Sequence, residues 1–145
     1  MKIEIVNPVQ RNYQSVFEGF SAELFEYLAP NGQLKLLRFD GCRKGDVIDI
    51  QFLRPIKVRW ISEVVKFHES EEEIYFIDEG RELPFGLVYW QHQHIIRKTG
   101  HDSCEIIERI EYRASSELLD LLHYFPLYFS FAQRKVKYKS FFERK

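Results

Sequence analysis

Lys2 to Val6 (KIEIV) alternates apolar and polar residues, the two-residue period of a half-buried strand, and predicts a first strand ending at Asn7-Pro8. From Tyr13 the period lengthens. YQSVFEGFSAELFEYLAP predicts helix broken near Gly19, restarted by Ser21 as N-cap, with Leu24, Phe25 and Leu28 on one buried face. Pro30-Asn31-Gly32 punctuates the chain. QLKLLRF, DVIDIQFL, KVRWISEVVKF and EIYFID then read as four strands, with turns at Gly41, Gly45, Pro55 and the acidic ESEEE. LVYWQHQHIIRK and SCEIIERIEYRA alternate on either side of Thr99-Gly100 and predict a long hairpin. After Ser116, Leu118, Leu121, Leu122, Phe125, Phe129, Ala132 and Val136 recur at three- and four-residue steps, which predicts one apolar helix side turned to the core. Pro126 should divide this region into a short helix near 117–124 and a long one reaching about Phe142, since proline is tolerated mainly at a helix start. Strand, two short helices, a run of strands and a long helix make an α+β layout: an antiparallel sheet packed against a helix.

The hairpin poses a question. Alternation puts Trp90, His92, His94 and Ile96 on one face of their strand, so two histidines share a side with a tryptophan and an isoleucine. Polar groups facing a core cost free energy unless they find partners. Centring the hairpin on Gly100 pairs Ile96 with Cys104, His94 with Ile106, His92 with Glu108, Trp90 with Ile110 and Val88 with Tyr112. The inner face then carries a polar island of His92, His94, Glu108 and the Tyr112 hydroxyl in an apolar wall. A one-residue slip would exchange the faces.

Composition narrows the classes. A chain of 145 residues fits one domain spanning 1–145, and 45% hydrophobic with 30% charged residues is ordinary for a soluble globular protein. The net charge of −1 argues against a nucleic-acid partner, which would demand a basic surface. No apolar run is long enough for a membrane span, the start lacks the form of a signal peptide, and Cys42 and Cys104 lack CxxC spacing. These features suit a cytoplasmic location. The aromatic share of 16% means that many bulky rings must be housed.

At this point the residues resemble a known family. PFGLVYWQHQHIIRKTG, then EIIERIEYRA, then a helix containing FAQRKVKYKSFF, resemble the START/Bet v 1-like (SRPBCC) superfamily and its polyketide cyclase-like branch. One bacterial branch carries Gly-Pro-Phe, Trp-x-His-x-His, Asp-x-Val-x-Tyr and a terminal-helix arginine. Here those places hold Pro84-Phe85-Gly86, Trp90 to His94, Glu108 to Tyr112, and Arg134, and Phe76-Ile77-Asp78 matches its Phe-x-Asp element. Glu108 stands where that pattern has Asp. The resemblance implies a helix-grip fold, in which a seven-stranded curved antiparallel sheet wraps the long C-terminal helix around an internal cavity. The ligand-binding residues so implied are Trp60, Trp90, His92, His94, Glu108, Ile110, Tyr112, Phe125 and Phe129, with Ile48, Ile50, Phe52, Val58, Val64 and Ala132 as further candidates for the lining.

Four roles stand open for the polar island: a satisfied structural pair, orientation of a ligand, acid–base catalysis by His92, His94 and Glu108, or one side of a metal site. No nucleophile motif accompanies it, and HxH lacks a third ligand of known geometry, so neither a metal nor a cofactor is expected. GxGxxG, GxxxxGK[ST], GxSxG and HExxH are missing. His68, His101 and His123 have no partners at ligand spacing and read as incidental. The expected function is binding of a small apolar or amphipathic molecule, as a carrier or sensor. The alternative is an aromatic cyclase or dehydratase working in the same cavity, so enzymatic turnover and oligomeric state stay open.

Overall fold

The computed structural model describes residues 1–29 and 32–144. Its elements are β1 (Lys2–Val9), α1 (Tyr13–Glu18), α2 (Ala22–Leu28), β2 (Leu34–Phe39), β3 (Val47–Phe52), β4 (Val58–Glu69), β5 (Glu73–Glu82), β6 (Leu87–Gly100), β7 (Ser103–Ala114), α3 (Glu117–Ala132) and α4 (Arg134–Glu143). The strands form one antiparallel sheet in the order β1-β7-β6-β5-β4-β3-β2. Register shifts in β2 and twice in β4 bend it, as bulges do. Together α3 and α4 form a C-terminal helix of 27 residues across the concave face, so the expected α+β helix-grip architecture is present.

Local chemistry explains most boundaries. Ser21 caps α2 by accepting from Leu24 N, and Asn12 caps α1 in the same way. Gly19 separates the two because a Cβ there would lie 2.5 Å from the Phe142 ring. The Pro30-Asn31-Gly32 turn falls partly outside the described residues. The first strand runs past Pro8 to Val9, longer than its sequence suggested. It is an edge strand, where a missing N–H costs no ladder bond if it faces solvent.

Two expectations about the C-terminal helix are corrected. The helix passes through Pro126, and the irregularity falls at Gln133 instead. Proline removes one hydrogen bond, and the Leu122 carbonyl that loses its donor belongs to an exposed residue that water can serve. The apolar stripe, moreover, faces outward: Leu118, Leu122, Phe125, Phe129 and Val136 are 66%, 60%, 64%, 59% and 74% accessible. The inward side is a second series, Leu119, Leu127, Phe131, Tyr138 and Phe142, buried wholly or in part.

The hairpin register is corrected as well. Trp90 opposes Tyr112, His92 opposes Ile110, His94 opposes Glu108 and Ile96 opposes Ile106. The loop is His101-Asp102, with an irregularity between Lys98 and Gly100, so the pairing lies two residues from the one centred on Gly100. An even slip leaves every side chain on its own face. Trp90, His92, His94, Ile96, Cys104, Ile106, Glu108, Ile110 and Tyr112 are accordingly all buried.

Phe131→Ala should lower the unfolding free energy by about 3–5 kcal/mol, the usual loss for a large buried aromatic. Phe125→Ala, measured in dilute solution, should stay within about 0.5 kcal/mol of the parent. Equal losses in denaturant titrations would place the helix in the opposite orientation.

Candidate functional site

The inner face of the sheet carries two apolar clusters. One gathers Val9, Ile74, Phe76, Ile96, Ile106, Tyr138 and Phe142 beneath α1, α2 and α4. The other gathers Ile3, Ile5, Trp90, Ile110, Tyr112 and Phe131 beneath α3. Between them a belt of buried polar side chains crosses the strands: Asn7 on β1, Glu108 on β7, His94 and His92 on β6, Asp78 on β5 and Ser62 on β4.

The middle of the belt, from Asp78 to Glu108, is linked by paired and stacked side chains. Asp78 Oδ2 lies 2.8 Å from His94 Nε2. Opposite a carboxylate oxygen that nitrogen carries the proton, which leaves the lone pair on Nδ1. His94 stacks on His92 with ring centroids 3.7 Å apart, and Phe76 covers its other face at 4.3 Å. His92 Nε2 approaches Glu108 Oε1 at 3.5 Å, an ion-pair distance and long for a hydrogen bond. Glu108 Oε1 accepts from Arg134 Nη1 at 2.9 Å and from the Tyr138 hydroxyl at 3.1 Å. Among the described residues His92 Nε2, His94 Nδ1 and Glu108 Oε2 have no protein hydrogen-bond partner.

This packing sets the charges. Burial alone would raise the Glu108 pKa, but Arg134, followed by His92 and His94, holds it at about 2. Burial, reinforced by the neighbouring His92, pushes His94 down to about 4 against the pull of Asp78. Burial lifts the Tyr138 hydroxyl well above its usual range, with the Glu108 charge adding to it, so it remains a donor. At neutral pH the belt therefore holds an ionised Glu108 locked to a helix arginine, and a neutral His94 on Asp78.

A cavity of about 610 Å³ lies between this belt and the long helix. Its lining includes the sequence-predicted Trp60, Trp90, His92 and His94, with Ile48, Ile50 and Phe52. Trp60 and Trp90 meet edge to face with centroids 4.6 Å apart. Glu108, Ile110 and Tyr112 lie behind the wall rather than on it: Glu108 is sealed by Arg134 and Tyr138, and the Tyr112 hydroxyl donates to the Asp120 carbonyl. Val58 and Val64 are likewise off the lining. Phe125 and Phe129 point to solvent because the helix presents its other side, and Ala132 packs against the second apolar cluster. The helix contributes His123, Leu127, Ser130, Phe131 and Arg134 instead.

Three residues were missed or undervalued. Asp78 was legible, since Ile74, Phe76 and Asp78 alternate onto one face. Arg134 was marked only by the resemblance. His123 donates to or accepts no side chain, yet its Nε2 lies 2.7 Å from the Phe85 carbonyl oxygen at the cavity wall. Asp78, His92 and His94 also bring three donor atoms within 4.8 Å of one another. That is the composition of a two-histidine, one-carboxylate metal site. The two imidazoles, however, lie stacked only 30° from parallel, so their in-plane lone pairs do not converge on one point about 2.1 Å from both.

No protein-family model and no curated protein matches the sequence. Norcoclaurine synthase from Thalictrum flavum, in a point mutant bound to a transition-state analogue, has TM-score 0.66 and 18% identity over 94% of this chain and 92% of that one. The chain has the START/Bet v 1-like helix-grip fold. An uncharacterized protein from Bacillus thuringiensis follows at TM-score 0.61 and 13% identity, covering 94% and 99%. The ZhuI aromatase/cyclase from Streptomyces sp. R1128 has TM-score 0.59 and 12% identity, covering 80% and 69%. At such identities the likeness concerns the fold alone. Among the described residues no helix is long and apolar enough to cross a membrane.

Acid should destabilise the protein in two overlapping stages. Both groups hold protons more weakly when folded, so protonation favours the unfolded chain. The His94 contribution, complete above pH 6.5, is lost as pH falls toward 4; the Glu108 contribution, complete above 4.5, is lost toward 2. Unfolding free energies from denaturant titrations across this range should fall continuously, by a few kcal/mol in all. Glu108→Gln should be less stable at pH 7 and flatter below 4.5. A parent profile flat between pH 7 and 4 would contradict the assignment.

Proposed function

We propose that this protein binds a small amphipathic molecule, with its apolar or aromatic body against Trp60, Trp90, Ile50 and Phe52 and its polar end toward His92 and Arg134. The observation that supports this reading is the composition of the cavity wall: apolar walls with a few convergent polar groups at one side are what ligand sites present. Arg134 remains 21% accessible while bonded to Glu108, so it can meet a carbonyl or carboxylate without giving up its partner.

The acid–base alternative is supported by a different observation, the Asp78–His94 bond that orients an imidazole beside the cavity. Magnitudes weigh against it. A general base works best with a pKa near the working pH, and at about 4 and about 2 His94 and Glu108 are poor proton acceptors at neutral pH. An enzyme of this design would have to work through His92. The relatives of like fold include a synthase and an aromatase/cyclase, which keeps that reading in play.

The first test is native mass spectrometry of freshly purified protein for a bound small molecule, with an environment-sensitive naphthalene dye as a general probe. The dye should brighten on binding. Ile50→Asp, which puts a charge in the apolar wall, and Ser130→Trp, which fills the helix side, should each weaken it by about tenfold or more, equivalent to about 1.4 kcal/mol. The absence of both a dye response and a thermal shift with any lipophilic compound would remove the binding reading. Turnover of a captured ligand, lost in His92→Gln with binding kept, would establish the enzymatic one.

A further inference from the structure

Among the described residues the outward stripe of the C-terminal helix has no partner. Soluble monomers rarely expose so many large apolar side chains on one contiguous strip, and such a strip marks an interaction surface. From Leu118 to Val136 it runs about 27 Å at the helical rise of 1.5 Å per residue. Its most exposed residues are spaced symmetrically about the level of Leu127: Phe125 and Phe129 lie two residues to either side, Leu118 and Val136 nine. A symmetric dimer interface must be self-complementary, so that residue i meets j and j meets i. This spacing satisfies that demand if two helices cross antiparallel at Leu127.

The charges follow the same symmetry. Glu117 lies at one end of the strip, while Lys135 and Lys139 lie at the other on the same flank, five and about six helical turns away. Antiparallel pairing brings each glutamate between the two lysines of the second copy. A lipid surface suits the strip less well. Membrane-surface helices carry cations along the polar side. Here the opposite side is packed on the sheet, the N-terminal end is acidic with Glu117 and Asp120, and the net charge is −1.

We infer that the C-terminal helix is the interface of a twofold dimer of this chain, the two copies packing antiparallel with Phe125 of each against Phe129 of the other. The cavity lies on the opposite side of the same helix, so pairing leaves it free.

Sedimentation velocity over a micromolar concentration series should show a monomer–dimer equilibrium for the full chain. Phe125→Asp and Phe129→Asp should each raise the dissociation constant by roughly thirtyfold or more, the effect of removing an interface hot spot. Circular dichroism and dye binding should be unchanged, which separates loss of pairing from loss of fold. Glu117→Lys should weaken the dimer, and adding Lys135→Glu and Lys139→Glu should restore it, since only antiparallel self-pairing joins those positions. A monomer at every concentration, a dimer indifferent to Phe125→Asp, or a monomer that co-sediments with phosphatidylcholine/phosphatidylserine vesicles through this strip would overturn the inference.

Discussion

A carboxylate with no accessible surface constrains everything around it. Glu108 sits fully buried on the sheet's inner face, where an unpaired charge would cost several kcal/mol. Its compensation comes from outside the sheet, from Arg134 and Tyr138 on the last helix. That requirement fixes the rotation of the helix about its own axis. With Arg134 and Tyr138 inward, Leu127 and Phe131 must follow them, and the Leu118–Phe129 series must turn to solvent. The outward apolar strip is thus a geometric result of neutralising one buried charge.

The polar belt divides the core into two apolar clusters that each lack full contact with the other. An uninterrupted core could close on itself at native density. A line of partly satisfied polar atoms resists that, because apolar side chains packed over His92 and His94 would leave their nitrogens unpaired. The cavity opens where that belt passes beneath the helix. Sheet curvature from the bulges in β4 gives it depth, and the Trp60–Trp90 pair forms part of its wall.

Much of this was legible in the chain. Two-residue alternation identified the inner face of the hairpin residue by residue, because each of those positions is buried. The register was not legible, since Gly100 advertises a turn and His101-Asp102 makes one without glycine. The helix was misread for a related reason: Leu118–Phe129 and Leu119–Phe131 are both apolar series, and periodicity cannot choose between two apolar faces. The choice was made by Arg134, whose inward position depends on a strand partner 26 residues away. Asp78 was marked only by its match to the Phe-x-Asp element, and its role was not legible until its imidazole partner came into view.

The long helix is bonded most densely towards its two ends, with His123 on the Phe85 carbonyl as a further tie between them. Near its start, Ser116 caps it, Asp120 accepts from Ala114 N, and the Tyr112 hydroxyl reaches the Asp120 carbonyl. Near its end, Arg134 and Tyr138 bond to Glu108. Between these clamps it spans the cavity like a beam across a gap, and Pro126 has removed one of its internal ties in mid-span. The sheet opposite is stiffened by ladders on both sides of β5, β6 and β7. It follows that the floor is the rigid part of the chamber, and that whatever compliance the chamber has resides in its roof.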